Sequence, residues 1–178
     1  MWRSALTWTI IAGPMKLLLI RHAAAVQRGT KGIADDDRPL TPRGKKKFRT
    51  AARGLARVAD RPDVLLTSPL PRARATAEIA AEVFRRVEPR IEQALAGDDV
   101  DDIVKVLETL ASSEQVAVVG HEPTLSELLA RLLGATKPER LGFRKGGAAL
   151  VDLPQGPGAG GRLVWFIKPR ILRSLGDI

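Results

Sequence analysis

Cysteine and tyrosine are both missing from this chain, and histidine occurs only twice, at His22 and His121. Without cysteine there can be no disulfide framework and no thiolate metal site, and a reducing cytoplasm is the expected compartment. Two histidines also leave no His-rich metal cluster, so neither a metal nor a cofactor is expected. Aromatic residues make up only 4% of the chain. That is too few for the stacking platforms with which basic proteins hold single strands, which argues against nucleic acid as the main partner. A long apolar run is lacking as well. The stretch from Ala5 to Ala12 is broken by Thr7 and Thr9 and falls far short of the ~20 residues of a spanning helix, so no membrane partner is expected. Acidic residues are in deficit, with 20 Asp and Glu against 29 Lys and Arg and a formal net charge of +9. Such an excess favours anionic partners without choosing among phosphate, acidic protein, headgroups and nucleic acid.

What is present suits one packed domain. A chain of 178 residues with 44% hydrophobic content can bury a sizeable core. Met1 to Pro14 reads as a loosely ordered extension, and Met15 to Ile178 as the folded domain, expected to be a monomer. Three short apolar runs ended by polar residues, "KLLLI", "DVLLTS" and "QVAVVG", read as buried strands. Between them lie helical patterns. Thr41 is a good N-cap ahead of Pro42, Ser68 can cap a helix opened by Pro69, and "DDVDDIVKVLETLA" is amphipathic with acids at its start. "HEPTLSELLARLLG" is a further helix closed by Gly134. "VEPRIEQ" reads as a short strand or loop. "GAALVDL" and "GRLVWFI" flank a turn-rich segment and read as two late strands. The resulting β-α-β-α-α-β-α-β-β order predicts an α/β sandwich with a mostly parallel central sheet.

In such sheets ligands gather at the carboxyl ends of the strands. The first strand ends in Arg21-His22, the second leads to Arg72, and the third ends in Gly120-His121. Two imidazoles and two guanidiniums beside a helix start make a site for a tetrahedral dianion. A neutral imidazole can attack phosphorus and divide one difficult transfer into two easier steps. His22, fixed directly after a strand and flanked by Arg21, is the candidate nucleophile. Arg21 and Arg72 would clamp the equatorial oxygens, and His121 would be a further donor to them. Ala23, Ala24 and Ala25 leave room for the phosphoryl group. Each residue alone has a blander reading as a solvated or satisfied polar side chain; only their convergence on one sheet edge points to catalysis.

The stretches "LLLIRHAAA", "DRPLTPRGKKKF", "DVLLTSPLPRARATAE" and "VAVVGHEPTLSELL" together resemble the histidine phosphatase superfamily, and within it the small SixA-type phosphohistidine phosphatases. The resemblance runs from about Lys16 to Lys168. It implies a three-layer α/β/α, phosphoglycerate mutase-like fold and a phosphohistidine intermediate on His22, with Arg21, Arg72 and His121 as phosphate-binding partners. Ala23 stands where many members have glycine. The carboxylic acid that many members use to protonate the leaving group has no clear counterpart: Glu92, Asp98 and Asp99 lie in the right stretch, but Asp98 and Asp99 serve equally as helix caps. An imidazole leaving from phosphohistidine needs such an acid less than an alkoxide does. The expectation is therefore a metal-independent phosphatase acting on phosphohistidine in a partner protein. A phosphomonoesterase for sugar phosphates or nucleotides is the alternative. A third, non-enzymatic reading rests on the basic face Lys45–Lys47 and the tail "KPRILR", which could bind nucleic acid, polyphosphate or acidic protein.

Overall fold

The computed structural model describes residues 13–178. Most of the extension expected over residues 1–14 therefore lies outside the described residues, and the first strand starts at Met15, where the sequence pattern set the start of the folded part. Six strands form one sheet: β1 (Met15–Arg21), β2 (Val64–Thr67), β3 (Pro89–Ile91), β4 (Gln115–Gly120), β5 (Ala148–Leu153) and β6 (Arg162–Ile167). Their order is β3-β2-β4-β1-β5-β6. The pairs β1–β4, β2–β4 and β2–β3 are parallel, and β5 returns antiparallel to β1. The connections between parallel strands carry α1 (Pro42–Leu55), α2 (Pro71–Val83) and α3 (Val100–Glu108), while α4 (Thr124–Leu133) leads from β4 to the antiparallel β5 and α5 (Pro169–Gly176) follows β6. No described helix is long and apolar enough to cross a membrane.

The strands are apolar throughout because the sheet is covered on both faces, which removes the polar alternation of a half-exposed sheet. Leu18 and Ile20 of β1 face a core shared with α1, α2 and α5, while Leu17 and Leu19 face the opposite core under α3 and α4. All four are at most 1% exposed, and each contributes roughly 1.5–3 kcal/mol by leaving water. The layers are therefore helix, sheet and helix, as expected for a phosphoglycerate mutase-like fold.

Local signals worked unevenly. The Thr41 hydroxyl accepts the Gly44 N–H at 2.9 Å, with Pro42 opening α1. Asp99 caps α3 through the Asp101 N–H, and Gly134 closes α4 in the left-handed conformation. The helix after β2, however, opens at Pro71 rather than Pro69, and Ser68 does not cap it. Nor does the sequence pattern predict α5. This helix lies on α1 backbone to backbone, because a Cβ at Gly54 would sit 1.9 Å from the Leu172 carbonyl oxygen, and one at Gly176 equally close to that of Thr50.

Candidate active site

The register of the parallel strands brings the predicted residues together. Arg21 of β1 lies level with Gly120 of β4, and the His22 N–H donates to the Gly120 carbonyl at 3.0 Å. Ser68, just past β2, donates its N–H to Val119. His22 and His121, ninety-nine residues apart in the chain, have ring centroids separated by 5.0 Å. Arg72 sits in the first turn of α2 and is 5% exposed. Its carbonyl accepts from Thr76, whose hydroxyl in turn accepts the Ala23 N–H, so α2 is tied to the loop after His22.

The His22 Nδ1 lies 2.7 Å from the Ala23 carbonyl oxygen. A carbonyl can only accept, so neutral His22 keeps its proton on Nδ1, where it donates to Ala23, and carries its lone pair on Nε2. Burial, reinforced by His121, Arg72 and Arg21, pushes the His22 pKa down to about 3. Burial and then Arg72, Arg21 and Arg38 push that of His121 down to about 4. Both rings are therefore neutral near pH 7. His121 Nε2 is hydrogen bonded to the Ser68 hydroxyl at 2.8 Å. Among the described residues, the buried side-chain nitrogens and oxygens without a hydrogen-bond partner are Arg21 Nε, Arg72 Nε and His121 Nδ1. Buried polar atoms are normally paired. That the unpaired ones all belong to this cluster fits a site made for an oxyanion.

Three further charged residues, not singled out by the sequence reading, shape the cluster. Arg38, 6% exposed, donates from Nη1 to the Val26 carbonyl at 2.8 Å and pairs with Asp35 at 2.9 Å. The Asp35 carbonyl accepts from Arg72 Nη1 at 2.9 Å, so the loop before α1 anchors the Arg72 guanidinium. Glu122 accepts the Phe143 N–H at 2.9 Å and a hydrogen bond from the Ser126 hydroxyl, while Arg21 donates to the Phe143 carbonyl. Arg38 and Glu122 stand inside stretches already marked by their motifs, "DRPLT" and "GHEP". Adjacency to those motifs was the available signal, but burial in a polar loop leaves no periodicity to detect. The third residue, Lys145, lies on the turn before β5. Desolvation and the charges of Arg21, Arg38 and Arg72 hold its ammonium below its usual value.

The expected acids behave differently. Glu92 accepts the Ala94 N–H at 3.1 Å, and Asp99 accepts the Asp101 N–H at 2.8 Å, each as a cap. Asp98 is exposed in the turn between them.

Comparison with known proteins agrees with this geometry. Residues 17–100 match the family model for the histidine phosphatase superfamily (branch 1). An uncharacterised protein of Picosynechococcus is 32% identical over 136 residues, covering 75% of this chain and 82% of that one. The chain belongs to the histidine phosphatase superfamily. Among solved structures, this histidine phosphatase is similar to the protein histidine phosphatase SixA complexed with tungstate, with a TM-score of 0.78 and 26% identity over 89% of this chain and 99% of that one. The alpha-ribazole phosphatase of Shigella flexneri shares the fold, with a TM-score of 0.72 and 21% identity over 87% and 97% of the two chains. The enzyme is thus a phosphatase of SixA type, and His121 lies beyond the residues that the family model matches.

Proposed function

We propose that this phosphatase removes phosphate from phosphohistidine in a partner protein, with His22 as the nucleophile. The observation that carries the reading is the tautomer of His22: Nδ1–H is engaged by Ala23, so Nε2 is left as a bare lone pair beside Arg21, Arg72 and His121. In the first step Nε2 attacks phosphorus. The bond from phosphorus to the substrate imidazole breaks, its electron pair stays on that nitrogen, and the departing imidazole takes a proton from water. Arg21, Arg72 and His121 hold the three equatorial oxygens as charge develops on them. The Ala23 carbonyl steadies the phosphorylated ring of His22, which carries more positive charge than the free one. Water then attacks phosphorus, the bond to His22 breaks with its electron pair returning to Nε2, and orthophosphate leaves while the proton shed by the attacking water neutralises the hydroxide of the first step.

The choice of substrate is supported by the carboxylates. Glu92 and Asp99 are engaged as caps, so neither is free to protonate a strongly basic leaving group, and imidazole is a leaving group that needs little such help. The relative whose structure holds tungstate is itself a protein histidine phosphatase. A second reading, hydrolysis of small phosphomonoesters, is favoured by Asp98. This exposed carboxylate follows Gly97, whose carbonyl accepts a hydrogen bond from Thr124 at the start of α4.

The test is acid-labile phosphate trapping on wild type and His22→Asn with a phosphohistidine protein and an aryl phosphate. Labelling and turnover are expected to vanish together in the variant, and turnover at the wild-type rate would reject His22 as nucleophile. A large loss of kcat in Asp98→Asn confined to alkyl phosphates would favour the second reading.

A further inference from the structure

The basic stretches "KKK" and "KPRILR" are left unused by the phosphoryl site, yet the fold joins them. Lys47 from the outer face of α1 and Arg173 from α5 line one concavity together with Lys145 from the turn before β5. Ala23 and Ala24, the two residues that follow His22, form part of its wall. The concavity therefore begins one residue from the proposed nucleophile.

Its charge is one-sided. No acidic residue lines it, and among the described residues no carboxylate pairs with Lys47, Lys145 or Arg173. Some other cations do have such a partner: Lys16, Arg28, Arg53, Lys105, Arg131 and Arg162 each face an aspartate. Three like charges around one concavity repel, and Lys145 also feels Arg21, Arg38 and Arg72. No counter-charge comes from this fold, so an anionic ligand is what relieves the repulsion.

We propose that Lys47, Lys145 and Arg173 form a second anion subsite, which takes acidic side chains flanking the phosphorylated histidine of a protein substrate. The proposal rests on the reading of His22 as nucleophile. Two ammonium groups on flexible stems suit carboxylates whose spacing varies between partners better than a rigid guanidinium fork would.

Two phosphohistidine peptides of equal length test it, one with aspartates and the other with asparagines beside the phosphorylated residue. Both are titrated into His22→Ala protein, which has no nucleophile with which to consume them. The aspartyl peptide is expected to bind about tenfold tighter, as a few partly exposed ion pairs allow. Adding Lys47→Gln and Arg173→Gln should erase most of that preference while changing binding of the asparaginyl peptide much less. Lys47→Gln alone, which leaves α5 untouched, should remove part of it. Equal binding of the two peptides, or a parallel loss of both in the altered protein, would overturn the subsite. His22-dependent hydrolysis of an aryl phosphate by wild type judges the underlying reading separately, because that substrate has no flanking carboxylate.

Discussion

His22 combines burial with a fixed proton, and both properties have measurable consequences. Its folded pKa of about 3 places the acid limb of kcat/KM for an aryl phosphate well below pH 6.5, once the substrate's own ionisation is taken into account. Stability follows the same shift with a definite sign. Below about pH 6.5 the unfolded chain protonates this residue while the folded one does not, so the penalty is absent at higher pH and grows as pH falls towards 3. The slope is on the order of 1 kcal/mol per pH unit. Urea unfolding at pH 7 and pH 5 should show wild type losing more stability than His22→Asn; an equal loss would mean that the ring is not held neutral by the fold. Glu122 acts one step further out. It grips the Phe143 N–H while Arg21 grips the Phe143 carbonyl, so Glu122 is a positioning residue for that guanidinium. Glu122→Gln is expected to lower kcat/KM about tenfold, the worth of one charge-assisted hydrogen bond. Inhibition by orthophosphate should weaken in step, with the acid limb set by His22 unmoved. A change in kcat/KM without the change in phosphate affinity would argue for a merely structural role.

At the scale of elements, the α1–α5 contact is the most sensitive joint. Gly54→Ala would drive a methyl group into the Leu172 carbonyl, which only a shift of a whole helix can relieve. The expected cost is about 2–4 kcal/mol in urea unfolding, with Gly176→Ala behaving alike through Thr50. A loss below about 0.5 kcal/mol, the range of ordinary surface changes, would show that α5 is not docked this way. This joint also marks where the sequence stopped being legible. β1, β2 and β4 were readable because strands buried on both faces are continuous apolar runs, and Thr41 and Asp99 announced their helices by cap chemistry. α5 was not, since a helix of eight residues that buries little beyond Leu172 and Gly176 shows no sustained period. Ser68 looked like a cap because serine caps helices often; its hydroxyl instead meets His121, a partner set by tertiary structure. The four residues Arg21, His22, Arg72 and His121 were legible as strand-end groups. Arg38, Glu122 and Lys145 were not, because nothing in a polar loop distinguishes a charge turned towards the site from one turned towards solvent.

Over the whole molecule, a net charge of +9 should make capture of an acidic protein substrate depend on salt. Raising ionic strength from about 0.01 M to about 0.1 M shortens the screening length from about 30 Å to about 10 Å. Over that range kcat/KM for such a substrate is expected to fall severalfold, and for a small aryl phosphate much less. Equal salt dependence for both would mean that the charge acts only at the phosphoryl site.

The strand order has one more consequence, for the chain as it is being made. β1 and β2 never touch; β4 lies between them. Arg21, His22 and Arg72 are all synthesised early, but they have no common strand to align on until Gln115–Gly120 has cleared the ribosome. A nascent chain halted at residue 100 would thus hold three of the four groups and hydrolyse nothing, and catalytic competence would arrive in one step when the middle strand slots in.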